Sequence, residues 1–141
     1  MTIKVKYLAD ILPIEIFETG DWVDLRCAED TWVKMGEYCE ISLGIAMELP
    51  EGYEAHVVPR SSTFKKYGII SANSVGIIDN SFCGPEDCWH FLAYATRDAV
   101  IRKNERICQF RVFKNSPPIE IEEVEELKNP NRKGIGSTGD V

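Results

Sequence analysis

Asn73-Ser74-Val75-Gly76-Ile77-Ile78-Asp79-Asn80-Ser81-Phe82-Cys83-Gly84 is the stretch on which the fold turns. A short apolar run, Val75 to Ile78, stops at a carboxylate, and a polar turn follows before an aromatic and a glycine. That order describes a strand that enters a tight turn and leaves Asp79 at its lip. Gly76 lacks a Cβ, so another group can approach the backbone closely there. A carboxylate on the rim of a rigid strand can orient and deprotonate a water, and an aromatic three residues later can pack on a ligand. An ordinary hairpin with an Asx-type turn has the same pattern, so the neighbouring segments decide between the two.

Upstream, Ile41 to Leu49 alternates without a break, which predicts one strand burying Ile41, Leu43, Ile45, Met47 and Leu49. Pro50-Glu51-Gly52 is a turn signal, and Tyr53 to Val58 is expected to return as the second arm of a hairpin. This arm runs into Pro59-Arg60-Ser61-Ser62-Thr63-Phe64-Lys65-Lys66-Tyr67-Gly68, which spells one or two turns of helix closed by glycine. Arg60 and two hydroxyls at a helix N-terminus make a phosphate seat. Serine capping accounts for the serines equally well. Residues 3–7 and 14–17 are expected as short strands. Asp24 sits in a strand-like setting, where an acid wants a partner such as Arg26 or a task.

Downstream, 88–94 and 99–101 read as strands, followed by Arg106 to Phe113 with Cys108, Phe110 and Val112 on one face and Ile107, Gln109, Arg111 and Phe113 on the other. Ile119 to Ile121 is expected as a last strand before an acidic run. Residues 129–141 have no apolar periodicity and cannot order themselves by burial, yet they carry Arg132, Lys133 and three glycines beside Ser137 and Thr138. About ten short strands and one brief helix predict an all-β, jelly-roll-like barrel over residues 1–128, with 129–141 as a flexible arm.

Length and charge bound the rest. The 141 residues, 44% hydrophobic with a formal net charge of −7, fit one globular domain and argue against nonspecific nucleic-acid binding. No apolar run reaches the roughly 18 residues of a membrane helix, and the alternating N-terminus does not resemble a signal peptide, so no membrane partner and a cytoplasmic location are expected. Five cysteines, an odd number, are expected as free thiols.

Taken together the motifs resemble those of the homotrimeric dUTPases (deoxyuridine 5'-triphosphate nucleotidohydrolases), in a bacterial and phage-like subgroup. The resemblance spans nearly the whole chain in five motifs: Asp24-Leu25-Arg26-Cys27-Ala28, Pro59-Arg60-Ser61-Ser62, Asn73 to Phe82, Arg106-Ile107-Cys108-Gln109, and Gly134-Ile135-Gly136-Ser137-Thr138-Gly139. It implies hydrolysis of dUTP to dUMP and pyrophosphate, with Asp79 directing water at the α-phosphorus. Phe82 would stack on the deoxyribose, while Asn73 and the backbone from there through Gly76 to Ile78 would read the uracil edge. Arg60, Ser61, Ser62 and Gln109 would hold phosphates, and Arg106 joins the substrate set through the fourth motif. Asp24 would bind waters of a Mg2+ carried by the triphosphate. The arm, through Arg132, Ile135, Gly136, Ser137 and Thr138, would close over a site on a neighbouring subunit of a homotrimer. Ile135 stands where the family usually has a phenylalanine. Two alternatives belong beside this reading: a dCTP deaminase-like enzyme, disfavoured because Trp89 aligns where a deaminase needs a glutamate, and a phage regulatory protein that binds a repressor.

Overall fold

The structure, a computed structural model, describes residues 1–136 and 138–141. The elements are β1 (Lys4–Tyr7), β2 (Val23–Arg26), β3 (Thr31–Val33), β4 (Tyr38–Ser42), β5 (Ile45–Glu48), β6 (Tyr53–Pro59), α1 (Thr63–Tyr67), β7 (Ile69–Ser71), β8 (Gly76–Ile78), β9 (His90–Ala95), β10 (Ala99–Ile101) and β11 (Arg106–Lys114). They form four small sheets, ordered β2-β11-β6-β8, β4-β9-β7, β1-β5 and β10-β3, with every pairing antiparallel. The expected all-β architecture with a single short helix is what the described residues adopt.

One core lies between the sheets. Leu25, Ala55, Val57, Cys108 and Phe110 point inward from the four-stranded sheet, and Ile41, Phe91 and Ala93 from the three-stranded one. Trp89 fills the centre, edge-on to Phe110 with ring centroids 5.4 Å apart. Each such large side chain contributes about 1.5–3 kcal/mol through burial. The outward face of the four-stranded sheet carries Asp24, Gln109 and Val58 in cross-strand register.

Four expectations need correction. Residues 41–49 do not form one strand: Gly44, at φ 66°, breaks the ladder between β4 and β5, and a Cβ there would lie 3.0 Å from that of Ala28. The alternating apolar residues stay buried on both sides of the break. The 41–58 hairpin is absent too, because the turn at Pro50 is present (Tyr53 N–H to Pro50 O, 3.2 Å) but its arms join different sheets, β5 pairing β1 and β6 pairing β11 and β8. Residues 14–17 and 119–121 form no strands. Ile119 and Ile121 are exposed, with no pairing partner among the described residues. Finally, a bulge between Arg106 and Cys108 buries both Ile107 and Cys108, which strict alternation would place on opposite faces.

After Lys114 the described residues form no strand and are exposed. Among the described residues, no helix is long and apolar enough to cross a membrane.

Candidate active site

β8 is three residues long, sits at the edge of its sheet and pairs with β6 in the register Val57 to Gly76, His56 to Ile77 and Ala55 to Ile78. The apolar run ends where the ladder ends, which leaves Asp79 exposed on the turn beyond it. Within that turn the Phe82 N–H bonds Asp79 O at 3.0 Å. The backbone N–H of Ser81 donates to Asp79 Oδ2 at 2.8 Å, and the Ser81 hydroxyl donates to the same oxygen. The hydroxyl foremost and then the backbone N–H stabilise the charged form and hold the carboxyl below its ordinary value. One carboxylate oxygen is therefore occupied, and Oδ1 has no protein partner among the described residues.

Beside this turn lies a pocket of about 250 Å³ whose lining includes Asn73, Gly76, Ile78 and Phe82, four of the expected substrate residues. A second cleft, of about 340 Å³, shares Ile78 and Phe82 with the pocket and adds Asp79 and Ser81. Asp79 thus lines the cleft and adjoins the pocket through Ile78 and Phe82. A Cβ at Gly76 would lie 3.3 Å from that of Val57, which lines the same pocket, so glycine here keeps the strands close and the pocket open. Asn73 is positioned by the 71–75 turn, where its Oδ1 accepts the Ser71 hydroxyl at 3.1 Å and Ser74 adopts φ 62°.

A second cluster occupies the far end of β6. Arg60 Nε lies 3.2 Å from Asp24 Oδ1, Arg106 Nε lies 3.9 Å from Asp24 Oδ2, and Glu15 reaches Arg106 at 2.9 Å and Arg26 at 3.5 Å. Three guanidinium groups face two carboxylates, a local balance of one positive charge that favours an anion. Gln109 Nε2 donates to Pro59 O at 3.1 Å, and its amide oxygen has no protein partner among the described residues. Ser61 and Ser62 are exposed, and Ser62 makes no side-chain cap bond to α1. Capping therefore does not account for these serines. The local anchor is instead Thr63, whose Oγ1 accepts the Arg60 N–H at 2.9 Å and donates to Ile107 O at 2.8 Å.

The two clusters are far apart within one chain. Asn80 reaches Tyr53 at the start of β6, whereas Arg60 follows Pro59 at its end. Along a strand that span is about 20 Å. The structure also does not bring Arg132, Ile135, Gly136 or Thr138 to either cluster; all four are exposed, and Ser137 lies outside the described residues.

Asp24 is the expected magnesium residue. Among the described residues, no group of three His, Cys, Asp or Glu side chains is placed to share a cation. One half-buried carboxylate beside arginines fits an ion that takes most of its ligands from phosphate oxygens and water. It does not fit a cage built by protein alone. Trp89 is buried in the core and offers no carboxylate to the pocket it lines.

Sequence reasoning missed Glu15, Asn80 and Thr63 as parts of these clusters. The contacts of Thr63 with Ile107, of Asn80 with Pro50 and Tyr53, and of Glu15 with Arg106 span 27 to 91 residues, and no local pattern announces them.

A family model described as dUTPase matches residues 23–139. The chain is 55% identical over 140 residues to an SPbeta prophage-derived deoxyuridine 5'-triphosphate nucleotidohydrolase of Bacillus subtilis, with 99% of each covered. It is 37% identical to a deoxyuridine 5'-triphosphate nucleotidohydrolase of Hydrogenobaculum, again with 99% of each covered. Among solved structures, a Staphylococcus bacteriophage 80alpha dUTPase with dUpNHpp aligns at TM-score 0.80, covering 98% of each chain at 23% identity. A dUTPase of phage phi11 of S. aureus, described with a structural Mg(II) ion, aligns at 0.77, covering 89% of this chain and 98% of its own at 18% identity. At such identities the structural likeness speaks for the fold.

Proposed function

This chain belongs to the dUTPase family, and from that premise we infer that it hydrolyses dUTP to dUMP and pyrophosphate. The observation that carries the reading is the Asp79 carboxylate, exposed at a pocket rim with one oxygen held by Ser81 and the other open to solvent. In that state Asp79 accepts a proton from a water and aims it at the α-phosphorus. Phe82 packs on the deoxyribose, and Asn73 with the backbone from Gly76 to Ile78 reads the uracil edge, in the pocket those residues line. Arg60, Ser61, Ser62, Arg106 and Gln109 bind phosphates, exchanging their contacts with Asp24, Glu15 and Pro59 for phosphate oxygens. Asp24 would hold, through water, a magnesium ion carried by the triphosphate, which would supply charge neutralisation at the phosphates.

The chain's own geometry supports a site shared between subunits. A phosphate seat about 20 Å along one strand from the Asp79 turn does not reach the same α-phosphorus, so a second copy supplies it. A homotrimer with three such sites is the assembly proposed, in the cytoplasm. The 129–141 arm, separate from the 1–128 body, closes over a neighbour's nucleotide through Arg132, Ile135, Gly136, Ser137 and Thr138. The test is to supply the protein with dUTP and with dCTP in magnesium and to assay pyrophosphate and ammonia. Pyrophosphate with dUMP from dUTP alone is the expected result. Ammonia from dCTP would replace this reading with deamination.

A further inference from the structure

The turn that carries Asp79 hangs from an edge strand. From Asp79 to Asp87 the backbone bonds stay local: Phe82 to Asp79, Asp87 to Gly84 and Cys88 to Glu86, with the Gly84 N–H capped by Asp87. The backbone next bonds the body at Trp89, whose N–H reaches Ile45 O at 2.9 Å. Among the described residues, apart from the adjoining Cys88 N–H on Glu86 O at 2.9 Å, the hydrogen bonds that leave this stretch are two, both from Asn80. Its Nδ2 donates to Pro50 O and to Tyr53 O, each at 2.8 Å.

We propose that Asn80 is a positioning residue for the reaction, its side-chain amide clamping the Asp79 turn to the turn that opens β6. The proposal rests on Asp79 being the base. Two features give the clamp its rigidity. The anchoring turn is itself fixed, through Tyr53 N–H to Pro50 O at 3.2 Å, Asn115 N–H to Gly52 O at 2.8 Å and the pairing of Tyr53 with Lys114. Two bonds from a single nitrogen also define both a position and a direction. The chemistry selects the side chain: both acceptors are carbonyl oxygens, so one atom must carry two protons, which the asparagine amide does. An ionised aspartate of the same shape would set a negative oxygen against two carbonyls, and a serine has a single proton to offer.

A displacement of about 1 Å at a reacting group lowers a rate about 100-fold. Asn80 lines neither the pocket nor the cleft, so its loss should appear in turnover rather than in substrate affinity. The experiment compares Asn80→Ala and Asn80→Asp with the unmodified protein and with Asp79→Asn, about 20 °C below each variant's midpoint of unfolding. Steady-state kcat and KM for dUTP are measured, together with the Kd of a non-hydrolysable dUTP analogue. The expected result is a fall in kcat of about 10- to 100-fold for Asn80→Ala and no smaller for Asn80→Asp, with KM and analogue Kd within about 3-fold. Either folded variant keeping kcat within about 2-fold, or losing its activity in KM and analogue affinity instead, overturns the clamp. Full turnover in Asp79→Asn would instead remove the base on which the clamp rests, so the two failures are distinguishable.

Discussion

Thr63 joins the phosphate seat to the core, and replacing it by valine tests that junction. The side chain is 1% exposed, and its hydroxyl both accepts the Arg60 N–H and donates to Ile107 O. Ile107 lies in the bulge of β11 and is itself buried. Valine preserves the shape and removes the hydroxyl, which strands one donor and one acceptor. Each buried group left without a partner costs about 1–3 kcal/mol. Partial relaxation of the exposed side of Arg60 brings the sum to about 2–4 kcal/mol. At this chain length a kcal/mol corresponds to about 4 °C, so the midpoint should fall by about 8–16 °C. Circular dichroism melts at matched protein concentration read the shift directly, because an oligomer's midpoint depends on concentration. A loss under about 0.5 kcal/mol, the range of an ordinary surface substitution, would refute the reasoning.

Two further outcomes follow from the site. Ser81→Ala removes the larger of the two influences that hold Asp79 below its ordinary value of 3.8. If Asp79 works as the ionised base, the acid limb of kcat/KM lies below the ordinary carboxylate range in the unmodified protein and moves upward in the variant; an unmoved limb would exclude Asp79 as the titrating group. The same depressed value means that any stability Asp79 contributes is present above the unfolded pKa and is lost as pH falls through the lower folded one. Truncation after Lys128 should lower kcat/KM about 10-fold or more, because the arm then cannot close on substrate. The unfolding midpoint should stay within about 2 °C, since the described arm residues make no hydrogen bond to the body. A large drop in the midpoint would instead place the arm in the fold.

What the sequence reveals is what depends on near neighbours. The edge strand and turn at 76–82 follow from an apolar run that meets Asp79-Asn80-Ser81, and the inward set Cys108 and Phe110 follows from alternation. Alternation fails at Ile107 because a bulge changes the count, and at Gly44 because a positive φ ends a ladder while burial continues. The pairing of β5 with β1 rather than β6 is invisible locally: a turn signal at Pro50-Glu51-Gly52 marks a reversal but does not say which sheet each arm joins. Strands of three residues such as β3 and β7 are too short for periodicity to show. At the site, Asp79 and Phe82 are legible because one turn carries both. Thr63 and Asn80 are not, since each acts through carbonyl groups of distant segments that any residue type would supply.

The central claim is that Asp79 activates the attacking water. The direct measurement is Asp79→Asn, which keeps the side chain's size and removes the base, with binding of a non-hydrolysable dUTP analogue followed by calorimetry and pyrophosphate release from dUTP assayed on the same preparation. Binding within about 3-fold of the unmodified protein and a turnover loss of at least about 100-fold are predicted. Turnover at the unmodified rate would contradict the claim.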